Sequence, residues 1–166
     1  MSLTSDITSY NPEWPALYAD EVVRIAPIFG QSLIQIYHVG STAVPGLSAK
    51  PEIDLLVVVA ADEALDEWTA SIRKLGYKRG GDLSRGHHFF RRNVNGIRTH
   101  KAHVCIEQHP QIARMLKFRD HLRSHPEMRN EYQSLKLKLE EENTEGIGEY
   151  LEGKAPFIDR VLSSLD

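Results

Sequence analysis

The chain is poor in several features that would each have set its class. It has one cysteine, Cys105, which excludes an intrachain disulfide and fits a reducing compartment. It has no long apolar run. The longest, Leu55 to Ala61, is far too short for a membrane span and begins directly after an acid, and no secretory hydrophobic region is visible. Basic excess is also missing: net charge is -3, which argues against broad, sequence-independent nucleic-acid binding while leaving room for a local basic pocket. Repeats and low-complexity linkers are absent too. What remains, 166 residues with 41% apolar and 26% charged side chains, predicts a single cytoplasmic domain over residues 1–166, large enough to bury a core without disulfides or structural metals, and the mixture of helical and strand periods along it makes the fold α/β.

Periodicity places the elements. Pro15 to Phe29 carries Leu17, Val22, Ile25 and Phe29 at helical spacing, with Pro15 suited to a first turn and Gly30 to a stop. Leu33 to Val39 reads as a strand entering a Gly40-Ser41 turn, and Ile53 to Val59 as a central strand covered at least partly on both faces. Asp62 to Leu75 predicts a helix with Asp62 as a possible cap. Two strands, His87 to Val94 and Ile97 to Glu107, are joined by Asn95-Gly96, a strong hairpin signal. From Ile112 the period turns helical, with two helices separated at Ser124-His125-Pro126 and a last one over Pro156 to Leu165.

The chemistry concentrates between His38 and Val59. Glu52 and Asp54, at i and i+2, share one strand face opposite Ile53, Leu55 and Val57. Two carboxylates so placed can hold a divalent metal such as Mg2+, and the Gly40-Ser41 turn offers backbone donors for phosphates. Ser41 and Thr42 either meet phosphate or stabilise the turn; Lys50 either pairs with Glu52 or reaches a phosphate as a point charge. Gly46 reads as a position needing a special backbone angle or close approach. On the later strand, Ala102, Val104 and Ile106 are expected to face the core. Lys101, His103, Cys105 and Glu107 then face the other way, so that His103 reaches the acids if the two strands are neighbours. Arg91, beside His87-His88, suits an anionic substrate if its face is the right one. Arg119 and Arg123 share a helix face and either bind phosphate or serve a structural role with Asp120. Lys154 is a further cation able to return to the pocket.

The segments GSTAVPGLSAKPEID, AHV, FRDHLRSHPE with Tyr132 and Leu135-Lys136, and YLEGKAPFI together resemble the GrpB (UPF0157) family, from Tyr10-Asn11-Pro12-Glu13-Trp14 to the C-terminal helix. The family is similar to a divergent branch of the nucleotidyltransferase superfamily, whose Gly-Ser pair is followed by acid-apolar-acid-apolar, matched here by Gly40-Ser41 and Glu52-Ile53-Asp54-Leu55. The resemblance implies a nucleotidyltransferase-like mixed sheet with helices on one face and a helical C-terminal region closing the site. It implies metal-dependent nucleotidyl or phosphoryl transfer, with Glu52 and Asp54 catalytic and Gly40, Ser41, Thr42, Lys50, Arg91, Arg119 and Lys154 on the phosphates. The third acid of active members looks replaced by His103. That change weakens the preference for Mg2+, leaving Mg2+ or Mn2+ as the expected ion with Zn2+ or Ni2+ possible, and raises the alternative of a noncatalytic nucleotide-, phosphate- and metal-binding module. Glu107 shares the strand face but lies on the order of 13 Å further along. The expected partner is a nucleotide or phosphorylated small molecule, with no membrane, and the chain is expected to be a monomer or small homo-oligomer.

Overall fold

The apolar run Ile53 to Val59 needs cover on both faces, and that need organises the molecule. In the computed structural model, which describes residues 5–165, the run forms β2 (Ile53–Val59), with Leu55, Leu56, Val57 and Val59 fully buried. β2 pairs antiparallel with β1 (Leu33–Val39) and parallel with β5 (Ile97–Ile106). With β4 (His87–Val94) and β3 (Tyr77–Arg79) they make one mixed sheet ordered β1-β2-β5-β4-β3. The β4–β5 hairpin turns on Asn95 and Gly96, both at positive φ (53° and 79°), the twist-matched two-residue geometry that this dipeptide predicts.

Ile53, Leu55, Val57 and Val59 face α1 (Trp14–Phe29) and α2 (Leu65–Arg73), packing with Trp14, Ile25, Phe29, Trp68 and Ile72; Ala102 and Val104 join them as parity requires. On the opposite face Leu56, Val58 and Cys105 pack under Ile112, Met115 and Leu116 of α3 (Pro110–Ser124). α4 (Pro126–Glu142) and α5 (Ile147–Ser164) complete the C-terminal helical region. Leu122, Tyr132, Phe157 and Val161 of that region close on Val44 and Leu47, in the segment between β1 and β2. The start of β2 therefore looks into a space between the sheet and the C-terminal helices.

Two helix starts differ from the periodicity reading by more than two residues. α2 begins at Leu65 rather than Asp62, whose carboxylate instead meets His88 Nε2 at 2.9 Å. α5 begins at Ile147 rather than Pro156, which sits inside it. The start is fixed upstream: Asn143 and Gly146 exchange two hydrogen bonds, and Glu149 Oε2 accepts from the backbone N–H groups of Thr144 and Glu145. Among the described residues, no helix is long and apolar enough to cross a membrane.

Candidate functional site

β1 ends at Val39, and a 3-10 turn over Ser41–Ala43 begins the return towards β2. Gly40 enters that turn at φ 76°, and a Cβ there would collide with Asp54 Oδ2, so only glycine lets the turn lie against the carboxylate. Thr42 donates its hydroxyl to the Glu52 carbonyl at 3.0 Å, tying the turn to the strand start. That hydroxyl proton is thereby used, so the contact with His38 Nε2, also 3.0 Å, runs from the imidazole N–H to Thr42 Oγ1. His38 stays neutral: burial, and then the Arg123 and Arg119 charges, hold it at about 4. From the helices, three arginines grip the segment's carbonyls. Arg119 donates to His38 O at 3.0 Å, Arg123 to Ala43 O at 2.9 Å and Arg129 to Pro45 O at 3.2 Å.

Glu52 and Asp54 project from the same face, as alternation predicts, and their side chains are only 10% and 16% exposed. The residue opposite Asp54 on β5 is Lys101. Its ammonium lies between the two acids, 3.3 Å from Glu52 Oε2 and 3.4 Å from Asp54 Oδ1. Both contacts are ion pairs, and Asp54 Oδ1 is buried without a hydrogen-bond partner. Burial pushes the Asp54 carboxyl up, with Lys101 opposing. Burial opposes charge on Lys101 as well, yet Asp54 and Glu52 together raise its pKa above the ordinary lysine value.

These groups open onto a cavity of about 200 Å³. Five cationic side chains, Lys50, Lys101, Arg119, Lys136 and Lys154, line it against two acidic ones, Glu52 and Asp54, so its lining carries excess positive charge. Two of the lysines approach the Tyr150 ring, with Lys50 Nζ 4.1 Å and Lys154 Nζ 4.6 Å from its centre. Lys136, on α4, is 2% exposed and donates to Ser48 O at 2.7 Å. Burial, reinforced by Lys154 and Lys50, lowers Lys136 to about 7; burial and Lys101 lower Lys154 to about 8. Lys50 is lowered for the same first reason. The remaining wall is apolar and includes Met115, Ile147, Leu151 and Ile158.

Residues 4–164 match the family described as GrpB protein. The chain belongs to that family. UPF0157 protein YqkA of Bacillus subtilis is 36% identical over 154 residues, covering 92% of this GrpB chain but 45% of its own length. UPF0157 protein BH1888 of Halalkalibacterium halodurans is 33% identical over 157 residues, covering 94% and 80%. The chain thus spans less than half of the first relative and four-fifths of the second. A dephospho-CoA kinase of Mycolicibacterium paratuberculosis matches at 27% identity, over 89% of this chain and 42% of the kinase. Among solved structures, GrpB from Enterococcus faecalis superimposes with a TM-score of 0.88 at 32% identity, covering 96% of each chain. The Cid1 poly(U) polymerase bound to MgATP gives 0.57 at 11% identity, over 83% of this chain and 46% of that one. At that identity the likeness is one of fold, and the fold is that of nucleotidyltransferases.

Of the positions singled out in the GrpB sequence, Gly40, Ser41, Thr42, Lys50, Glu52, Asp54, His103, Arg119 and Lys154 all line the one cavity. Arg91 does not line it: it sits opposite Lys101 on β4, one strand further from the acids, with its guanidinium beside Gly80. The register expected for His103 is corrected. His103 lies opposite Leu56, not Asp54, and its Nδ1 is 2.9 Å from His87 Nε2. Burial holds both rings neutral, His103 at about 3 and His87 at about 4. Glu107 is exposed just beyond β5. The divalent metal that the fold implies does not fit the groups as arranged. Among the described residues no three His, Cys, Asp or Glu side chains are placed to share an ion, and the space between the two acids holds an ammonium. Two cavity lysines were not among the phosphate candidates. Parity had put Lys101 on the acid face, while its register awaited the strand pairing; Lys136 was legible as a lysine four residues after Tyr132, within an apolar helical stripe.

Proposed function

We propose that the cavity binds the phosphate groups of a nucleotide or a phosphorylated small molecule. The observation that carries this reading is the excess of enclosed cations. Burying lysines costs free energy, and keeping Lys50, Lys136 and Lys154 near one another adds repulsion, so the cavity lining is electrostatically incomplete by itself. A polyphosphate supplies the missing negative charge, with the lysines as mobile point donors and the Gly40–Thr42 turn lying beside them. The apolar wall with Ile147 and Leu151 suits the nonphosphate part of the ligand, as a nucleoside requires.

A second reading, nucleotidyl or phosphoryl transfer, rests on Asp54. Its Oδ1 is buried, lacks a hydrogen bond and belongs to a carboxyl whose pKa is raised, which suits a base that takes a proton from an acceptor hydroxyl. Thermal-shift series with ATP, the other nucleoside triphosphates and inorganic tripolyphosphate test the first reading, and product analysis of the same mixtures tests the second. A higher melting temperature with at least one polyphosphate is expected. No shift with any of them contradicts binding, whereas a shift with no product under any acceptor tried contradicts transfer.

A further inference from the structure

We infer that the Lys101 ammonium, held between Glu52 and Asp54, takes the place of a divalent metal, so that the cavity binds phosphate groups without one. This rests on the phosphate-binding reading above and adds how the charge is supplied. In a metal-dependent site of this type, two carboxylates anchor a cation whose remaining coordination faces the phosphates. Here the anchor and its direction are kept, and the cation is covalent. Lys101 leaves β5 opposite Asp54, and its Nζ lies at 3.3 and 3.4 Å from the two acids. The ammonium is ion-paired with both carboxylates, and the side chain lines the cavity.

The surroundings fit the same substitution. Two acids balanced by one lysine leave a local charge of -1, where two acids and a divalent ion would leave none. The lining makes up that difference and more, because Lys50 and Lys154 share the cavity, Lys50 within electrostatic reach of Glu52 and Lys101, and Lys154 within reach of Glu52, Asp54 and Lys101. Lys101 itself is kept protonated by the acids despite its burial. A metal entering between Glu52 and Asp54 would have to expel an ammonium already paired with both, against the repulsion of the cations around it.

Tripolyphosphate binding, followed by calorimetry in EDTA and again in Mg2+ or Mn2+, tests the inference on wild-type protein and on Lys101→Met. Wild type is expected to bind in EDTA with no gain from metal. Lys101→Met is expected to lose affinity in EDTA by roughly thirtyfold or more, as for truncating one partner of a buried charge pair, and to regain part of it with Mn2+. Wild-type binding that needs metal, or Lys101→Met binding in EDTA as tightly as wild type, overturns the inference while leaving the phosphate reading intact. No binding under any condition overturns the phosphate reading itself. Should Lys101→Met not fold, the Glu52→Gln/Lys101→Met pair removes opposite charges together; the same loss in EDTA is expected, and unchanged affinity overturns the inference.

Discussion

Replacing Lys136 by methionine should make the empty protein more stable. Lys136 is 2% exposed, and burial with the neighbouring lysines holds it at about 7 against an ordinary 10.5. Because the folded-state pKa is depressed, the unfolded chain binds the extra proton between those two values. The cost of keeping the charge is therefore complete below pH 7 and fades as pH rises towards 10.5. That gap corresponds to about 5 kcal/mol. Against it stands the Ser48 carbonyl, which loses its 2.7 Å partner. An unsatisfied buried acceptor costs about 1–3 kcal/mol, leaving a net gain of about 2–4 kcal/mol. For a domain of this size, that raises the melting temperature by about 4–16 °C. Calorimetric or circular-dichroism melting near about pH 6 without ligand is the assay, and the advantage should shrink as pH rises to about 9. Tripolyphosphate should reverse the trend by stabilising wild type more than the variant, since Lys136 lines the cavity proposed to hold it. A variant that melts at or below wild type at the lower pH, or whose advantage does not vary with pH, refutes the electrostatic reasoning.

Gly40→Ala should cost about 1–3 kcal/mol in urea unfolding and weaken tripolyphosphate binding. It forces a Cβ into the left-handed region and onto Asp54 Oδ2, and wild-type values for both measurements contradict this account of the turn. Phosphate affinity should hold steady below the Lys136 value of about 7 and fall as pH rises through it and the Lys154 value of about 8. The free cavity loses in that window the protons that the bound phosphates require, so calorimetry in buffers of different ionisation enthalpy should record proton uptake. Affinity and heat independent of pH and buffer would contradict it.

The sheet was largely legible because its strands obey strong local rules. The Ile53–Val59 run demanded two-sided cover, Asn95-Gly96 dictated its hairpin, and strand parity separated Ala102 and Val104 from Lys101, His103 and Cys105. β3 is not legible because three residues carry no period, and α5 is longer than the Pro156–Leu165 reading because hydrogen bonds in the loop upstream fix its start at Ile147. The same boundary between local and nonlocal information runs through the site. Glu52, Asp54 and the Gly40 turn are a contiguous motif and could be found in sequence. Which residue of β5 faces Asp54 is a matter of parallel register, which no local pattern fixes, and it decided between His103 and Lys101. Likewise Arg119 and Arg123 share a helix face for a reason that only tertiary structure supplies: both hold the backbone of the turn segment.

Crystallising the protein with tripolyphosphate in EDTA tests the central claim most directly. Phosphate density in the cavity is predicted within hydrogen-bonding distance of Lys101 and at least one of Lys50, Lys136 and Lys154, with the Lys101 ammonium still between Glu52 and Asp54. An empty cavity at saturating ligand, or phosphate bound only elsewhere on the surface, would contradict it.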